Sequence, residues 1–311
     1  MTTHHGIHHV TAIAGPARRN LNFYTQVLGL RLVKKTVNFD DPGTYHFYYG
    51  NEEGRPGTIL TFFPWEHAAL GRVGLGQAEE TTFRIPEAAI GYWTHRFVEK
   101  GVPHEAPRKR FGETVLGFKD PDGMRLALVA VADAESEEGY ANGEVPAEHA
   151  IRGFGGVTLL VKAPEATGAI LSDVFGFAEI AREGSSIRYR AAGGAPGNTV
   201  DVHAAGDFLP GRMGAGTVHH IAFRAAGDAE QASMVKRLAE RHGMQTTEQR
   251  DRYYFRSVYF REPGGVLFEI ATDDPGFAVD EPAARLGEGL KLPSFLEGRR
   301  AEIEAALPEL G

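Results

Sequence analysis

The chain has 311 residues, comfortable for two domains, and the balance of 42% hydrophobic and 24% charged residues belongs to a globular protein. A formal net charge of −8 without any Lys/Arg block excludes nucleic acid and anionic membrane surfaces as natural partners. The complete absence of Cys excludes disulfides, thiolate nucleophiles and Cys-ligated metals, so any metal must be held by His, Asp or Glu.

The N-terminus is polar and His-rich, with no signal-peptide core. No apolar run approaches the roughly 20 residues of a membrane span. The expectation is a cytoplasmic protein. "GIHHVTAIAG", residues 6–15, reads as a strand opened by a doubled histidine, His8-His9. "GPARRNLNFYTQVLGLRL" follows as a helix, with Leu21, Tyr24 and Leu28 at helical spacing and Gly29 at its end. "TYHFYYG" and "TILTFFPW" alternate as strands. The unit is therefore β-α-β-β-β. A variant of it fills 81–131, with "GYWTHRFVEKGV" as helix and "FKDPDGMRLALVAV" as strand, turn and strand. An acidic, strand-free linker comes next.

Both units then return. Val157 and Gly176 repeat Val10 and Gly29 at one offset, and Gly243 and Glu262 repeat Gly101 and Asp120 at another. Four modules result, divided as an N-terminal domain at 1–135, a linker at 136–152, a C-terminal domain at 153–272 and an extension at 273–311. The extension is Pro/Gly-rich, ends in "FLEGRRAEIEAALPEL", and reads as a loop and short helix packed on a domain or a second subunit.

Module 4 opens with a second doubled histidine, His219-His220, in "GTVHHIAFRA". A regular strand shows successive side chains to opposite faces, so one member of each pair is expected to point away from its neighbour. "VYFREPGGVLFE", residues 258–269, reads as strand, Gly264-Gly265 turn and strand. Glu269 stands between Phe268 and Ile270. A carboxylate there is either paired, ligated, or on the open face of a half-exposed strand. The inner modules differ: Gly156 stands where module 1 has His9, and Ala127 where module 4 has Glu269. The remaining histidines, His46, His67, His95, His104, His149, His203 and His242, show no partner pattern, and His4 and His5 read as a flexible terminus.

Over roughly residues 5–272 the chain resembles the vicinal oxygen chelate superfamily, which includes glyoxalase I, bleomycin-resistance proteins and extradiol ring-cleaving dioxygenases. The resemblance implies an α+β fold of four βαβββ modules, paired into two vicinal-oxygen-chelate domains with cup-shaped mixed sheets. Val258, Tyr259, Glu262, Pro263, Gly265 and Glu269 match the extradiol signature. That match implies Glu269 as a metal ligand and Tyr259 as an acid or hydrogen-bond donor toward substrate. The signature's acid–base His would fall at 250–252, where the chain has Arg250, Asp251 and Arg252. Arg252 is a permanent cation, which is closer to the branch resembling (chloro)hydroquinone 1,2-dioxygenases. Arg252 and Tyr259 differ by an odd number, so both reach one cup only if Arg252 precedes the strand or a bulge intervenes.

By the same analogy His9 and His220 are the remaining ligands, giving a two-His-one-carboxylate site for Fe(II), with Mn(II) possible. His8 and His219 would orient these ligands or pass protons, and Thr11, two residues after His9, shares its face. One site is expected, between modules 1 and 4. The function so implied is a ring-cleaving dioxygenase acting on a small dihydroxylated aromatic and O2, with homo-oligomers possible. A glyoxalase-like isomerase would want a carboxylate near Thr61, and a metal-free aromatic-binding protein would not need His and Glu in phase.

Overall fold

Each repeat folds as a first strand, a helix and a meander of three strands. In module 1 these are β1 (Ile7–Ala14), α1 (Ala17–Asn22), β2 (Arg31–Asn38), β3 (Asp41–Gly50) and β4 (Ile59–Pro64). Module 2 has β5 (Gln77–Pro86), α2 (Ile90–Glu99), β6 (Arg108–Arg110), β7 (Glu113–Lys119) and β8 (Arg125–Val131). Module 3 has β9 (Phe154–Val161), α3 (Glu165–Asp173), β10 (Phe177–Glu183), β11 (Ser186–Ala191) and β12 (Thr199–Ala204). Module 4 has β13 (Thr217–Ala225), α4 (Asp228–His242), β14 (Arg250–Asp251), β15 (Phe255–Arg261) and β16 (Leu267–Pro275). The extension adds α5 (Ser294–Glu297) and α6 (Arg300–Ala306). This computed structural model describes residues 5–137, 139–194 and 196–310, so His4 lies outside the described residues. Among them no helix is long and apolar enough to cross a membrane.

The strands form two curled sheets. One runs β14-β15-β16-β13-β1-β4-β3-β2, the other β10-β11-β12-β9-β5-β8-β7-β6. Module 1 is thus joined to module 4, and module 2 to module 3, through antiparallel pairing of first strands, β1 with β13 and β5 with β9. Each first strand is flanked on its other side by the parallel last strand of its own module. The boundaries at 135 and 153 separate sequence repeats, while each sheet takes a module from both halves. One buried apolar cluster runs through both sheets, from Val10 and Ile221 to Phe83 and Phe154. The helix after β1 departs from the expected single α-helix. Its second half, Phe23–Val27, winds as a π-turn, and Tyr24 in it packs on Phe62 with ring centres 4.6 Å apart.

The repeated acidic residues of the two hairpin turns tie the sheets together. Asp120 Oδ1 accepts the amides of Asp122 (2.9 Å) and Met124 (2.8 Å), and its Oδ2 accepts Tyr24 Oη–H of module 1 (3.0 Å). Glu262 does the same in module 4, accepting Val266 N–H (2.9 Å) and Thr167 Oγ1–H of module 3 (2.6 Å). Gly265, at φ +97°, supplies the left-handed residue that this turn requires.

The extension closes the open edge at β2. Lys291 N–H reaches Lys35 C=O (2.9 Å). The fully buried Lys34 ammonium sits between Asp280 (2.5 Å) and Glu281 (2.6 Å). An uncovered edge strand would invite pairing with another chain.

Two consequences are measurable. Burial, reinforced by Asp122, outweighs hydrogen bonding and pushes the Asp120 carboxyl up to about 6. The folded state therefore favours the protonated acid. That stabilisation is full below the unfolded value near 3.9 and disappears as pH rises through 6, a change of about 3 kcal/mol. Urea unfolding of wild type and Asp120→Asn should show their stability difference shifting by that amount against the wild type between pH 4 and 7; a flat difference would contradict the assignment. Lys34→Met leaves two largely buried carboxylates unpaired and should lose about 3–5 kcal/mol in the same assay; a loss below about 1 kcal/mol would mean water replaces the ammonium.

Candidate metal centre

The two doubled histidines lie across from each other on β1 and β13, and each contains a β-bulge. Ile7 pairs with Phe223 but His9 with Ala222, which leaves His8 as the extra residue on β1. Thr11 pairs with His220 but Ala12 with Val218, which leaves His219 as the extra residue on β13. A bulge breaks the strict alternation of the pleat. The expectation from a regular strand, that His8 and His219 face away from their neighbours, is therefore corrected. His8 Nδ1 lies 2.9 Å from His9 Nδ1, and His219 Nδ1 lies 2.8 Å from His220 Nδ1.

Across the strand pair, His9 Nε2 and His220 Nε2 are 3.3 Å apart. Glu269, on β16 beside β13, presents Oε2 to both, at 3.4 Å from His9 and 2.9 Å from His220. Ligand atoms of these three residues all lie within 4.8 Å of one another, and all three side chains are buried. Ser257 Oγ–H donates to Glu269 Oε1 at 2.5 Å. Oε2, by contrast, is buried and accepts no hydrogen bond among the described residues. Burial alone would push the Glu269 carboxyl up, but the facing His9 and His220 outweigh it and hold it well below the usual range. Burial also lowers His8, His220 and His219, the last to about 3. Neutral rings and an ionised carboxylate are what a divalent cation requires. A ring whose Nε2 is left as a lone pair carries its proton on Nδ1, the atom that faces His8 or His219. The donor set and the orphaned Oε2 make His9, His220 and Glu269 a possible metal site.

A cavity of about 150 Å³ opens over these groups. Arg252 and Tyr259 line one side of it. Arg252 precedes β15, Tyr253 turns the backbone at φ 70°, and β15 bulges between Phe255 and Ser257. These irregularities bring the odd-spaced pair together: Arg252 Nε–H donates to Tyr259 Oη (3.3 Å) and Nη1–H to Asp40 (3.2 Å). Burial first, then the Glu269 charge, raises the Tyr259 phenol well above its usual value, so it remains a donor. Thr11 lines the opposite side with His46 and Tyr48, and Phe39, Phe63, Trp65 and Phe255 supply aromatic walls. Thr61, where a glyoxalase-like isomerase would want a carboxylate, directs its hydroxyl to Thr11 Oγ1 (2.9 Å). His46 carried no sequence signal, because its partners, Thr61 at 2.8 Å and Tyr48 at 3.0 Å, come from β-pairing and from its own strand. Ser257, Asp40 and Trp65 were likewise unsignalled.

The second sheet offers a larger groove of about 530 Å³, but most of its charged groups are paired with one another. Register sets Glu80 in the place of His220, where it pairs with Arg110 (2.5 Å). Arg188 grips Asp201 (2.7 Å) and Glu113 (2.5 Å), and His203 pairs with Glu79 (2.8 Å). At Gly156 any Cβ would collide with the Thr199 carbonyl, so no ligand side chain fits there.

The Glyoxalase/Bleomycin resistance protein/Dioxygenase superfamily matches residues 6–128 and 153–270. Among curated proteins, the chain is 49% identical to "Putative ring-cleaving dioxygenase MhqO" of Bacillus subtilis, over 97% of this chain and 95% of that one. It is 33% identical to the "Chlorohydroquinone/hydroquinone 1,2-dioxygenase" of Sphingobium indicum, over 96% and 94%. Among solved structures, a "putative dioxygenase" from Bacillus subtilis superposes with a TM-score of 0.93 at 48% identity, covering 98% of this chain and 97% of that one. These likenesses support an oxygenase.

Glu269→Gln removes the ionised oxygen that faces both imidazoles. Titration calorimetry with Mn(II) should show at least a hundredfold loss of affinity. His203→Ala, in the other sheet, should leave it unchanged. Retained binding by Glu269→Gln would disprove this ligand set.

Proposed function

The chain belongs to the Glyoxalase/Bleomycin resistance protein/Dioxygenase superfamily, and from that premise we propose that it is a non-haem Fe(II)-dependent, extradiol-type ring-cleaving dioxygenase. It inserts both atoms of O2 into a hydroquinone-type ring, and its metal ligands are His9, His220 and Glu269. The observation that carries this reading is the triad of two buried imidazoles and one carboxylate with an unsatisfied oxygen, opening into a small aromatic-walled cavity. Two His and one carboxylate on one face leave open positions, the arrangement suited to Fe(II) and O2 chemistry, with Mn(II) also compatible. When bound, the metal supplies Lewis acidity toward a phenolic oxygen and a meeting point for ring and O2.

The chain's own groups then have distinct tasks. His8 and His219 accept the Nδ1 protons of His9 and His220 and so hold each ligand's Nε2 lone pair toward the site. Ser257 fixes the Glu269 rotamer through Oε1. The aromatic walls admit a flat ring and exclude water, which strengthens every charge interaction within. Arg252, a permanent cation, holds negative charge on a ring oxygen, and the Tyr259 phenol donates to the same region. Thr11 supplies a hydroxyl on the other wall. The hydroquinone reading is supported by the 33% identical hydroquinone dioxygenase relative and by Arg252 standing where a catechol-cleaving signature has His.

The test is oxygen consumption after anaerobic Fe(II) loading. Hydroquinone and chlorohydroquinone should each consume one O2 per ring, with both labelled oxygens recovered in the opened product, and catechol should be the poorer substrate. No uptake with any of the three, together with turnover of a hemithioacetal, would replace this reading with a glyoxalase-type isomerase.

A further inference from the structure

His46 has no task in the proposed division of labour, yet it is the centre of a hydrogen-bonded chain whose two ends line the cavity. Counting protons makes that chain run one way throughout once Thr61 is assigned as the donor in its hydroxyl pair with Thr11. Thr61 has one hydroxyl hydrogen and gives it to Thr11 Oγ1 at 2.9 Å. Its 2.8 Å contact with His46 Nε2 must then be one that it accepts, so the ring proton sits on Nε2. Burial, with His9 and His220 nearby, keeps the His46 ring neutral. Its Nδ1 is then an acceptor, met by Tyr48 Oη–H at 3.0 Å. Stacking holds the ring in place, with centroids 4.1 Å from Tyr48 and 4.3 Å from Phe63. The order is Tyr48 to His46 to Thr61 to Thr11, and within this chain of groups Thr11 keeps a hydroxyl hydrogen with no acceptor among the described residues.

The other sheet gives an internal comparison. The cross-strand row Tyr48, Thr61 and Thr11 corresponds in register to Arg188, Asp201 and Thr158, and Ser186 stands in the place of His46. There the row ends in the Arg188–Asp201 ion pair, which offers nothing outward. The imidazole chain accompanies only the cup that holds the triad.

We propose that His46 is a positioning residue whose Nε2–H tautomer orients Thr61 and thereby commits the Thr11 hydroxyl as a donor to a ring oxygen of the substrate. Arg252 and Tyr259 on the opposite wall address one oxygen of the ring, and Thr11 addresses another. The chain thus selects rings with a second, electron-rich oxygen over rings with one. This inference rests on the dioxygenase reading for the identity of the ligand, but the tautomer does not depend on it.

Two readouts test it. Nitrogen-15 NMR of the full chain loaded with diamagnetic Zn(II) should show His46 with a protonated Nε2 and a bare Nδ1, and Thr61→Val should abolish that single-tautomer signature. A wild-type His46 protonated on Nδ1 would reverse the chain and overturn the proposal. In steady-state O2 uptake by the Fe(II) enzyme, His46→Leu should raise KM for chlorohydroquinone about tenfold, the value of one hydrogen bond to a charged acceptor, with kcat within about threefold. His46→Gln, which keeps a donor toward Thr61 and an acceptor toward Tyr48, should recover most of that loss. Adding His46→Leu to Thr11→Val should cost nothing further. Additive losses, or no rescue by Gln, would mean that His46 acts only through packing. Absence of O2 uptake by the wild type would remove the dioxygenase reading, and the tautomer measurement would still decide the direction of the chain.

Discussion

The pairing of β1 with β13 is the constraint on which the rest of the molecule depends. It joins the first strand of the chain to a strand more than two hundred residues later. Without it neither His9 nor His220 meets the other, and Glu269 becomes a bare carboxylate in an apolar strand, which is energetically prohibitive. The same pairing needs a bulge on each strand. A pair in perfect register would direct one histidine of each doublet to the far face. The two bulges, at His8 and His219, are related by the pseudo-twofold axis between the strands, so each ligand candidate has its own imidazole behind it.

The two sheets show what becomes of one scaffold under two electrostatic solutions. Both cups carry polar residues on their concave faces, and both must satisfy them. The inner cup does so mostly internally, through Arg110–Glu80 and Arg188–Asp201–Glu113 clusters, with Arg110 Nε left without a partner among the described residues. The outer cup leaves Glu269 Oε2 and the Thr11 hydrogen uncommitted. Unmet polar capacity in a buried place is destabilising for the empty protein, and it is the physical mark of a place built for a ligand.

Much of this was readable in the sequence, because module repeats preserve phase. Constant offsets locate first strands and last strands, and the resemblance to the vicinal oxygen chelate superfamily, not phase, implies His9, His220 and Glu269 among the residues at those edges. Binary patterning likewise gave the βαβββ units. What patterning does not encode is departure from regularity. The pleat rule misdirected His8 and His219 because a bulge adds one residue without any composition cue. The left-handed Tyr253 carries no Gly or Asn to announce it, although it is what lets Arg252 share a cavity with Tyr259. The π-turn at Phe23–Val27 was similarly hidden within a helical pattern.

His46 illustrates a deeper limit. Its neighbours in sequence are aromatic strand residues, and a lone histidine among them is ordinarily packing. Its role arises from two partners set by register, Thr61 across the strand pair and Tyr48 two residues along, and from the fact that each has a single hydrogen to give. No local pattern contains that count. The same arithmetic applies behind the candidate metal site, where an imidazole facing another through Nδ1 leaves only one arrangement compatible with a free Nε2 lone pair on the inner ring. In both places the chemistry is set less by which residues are present than by the direction in which protons point, and strand geometry decides which partners those protons can meet.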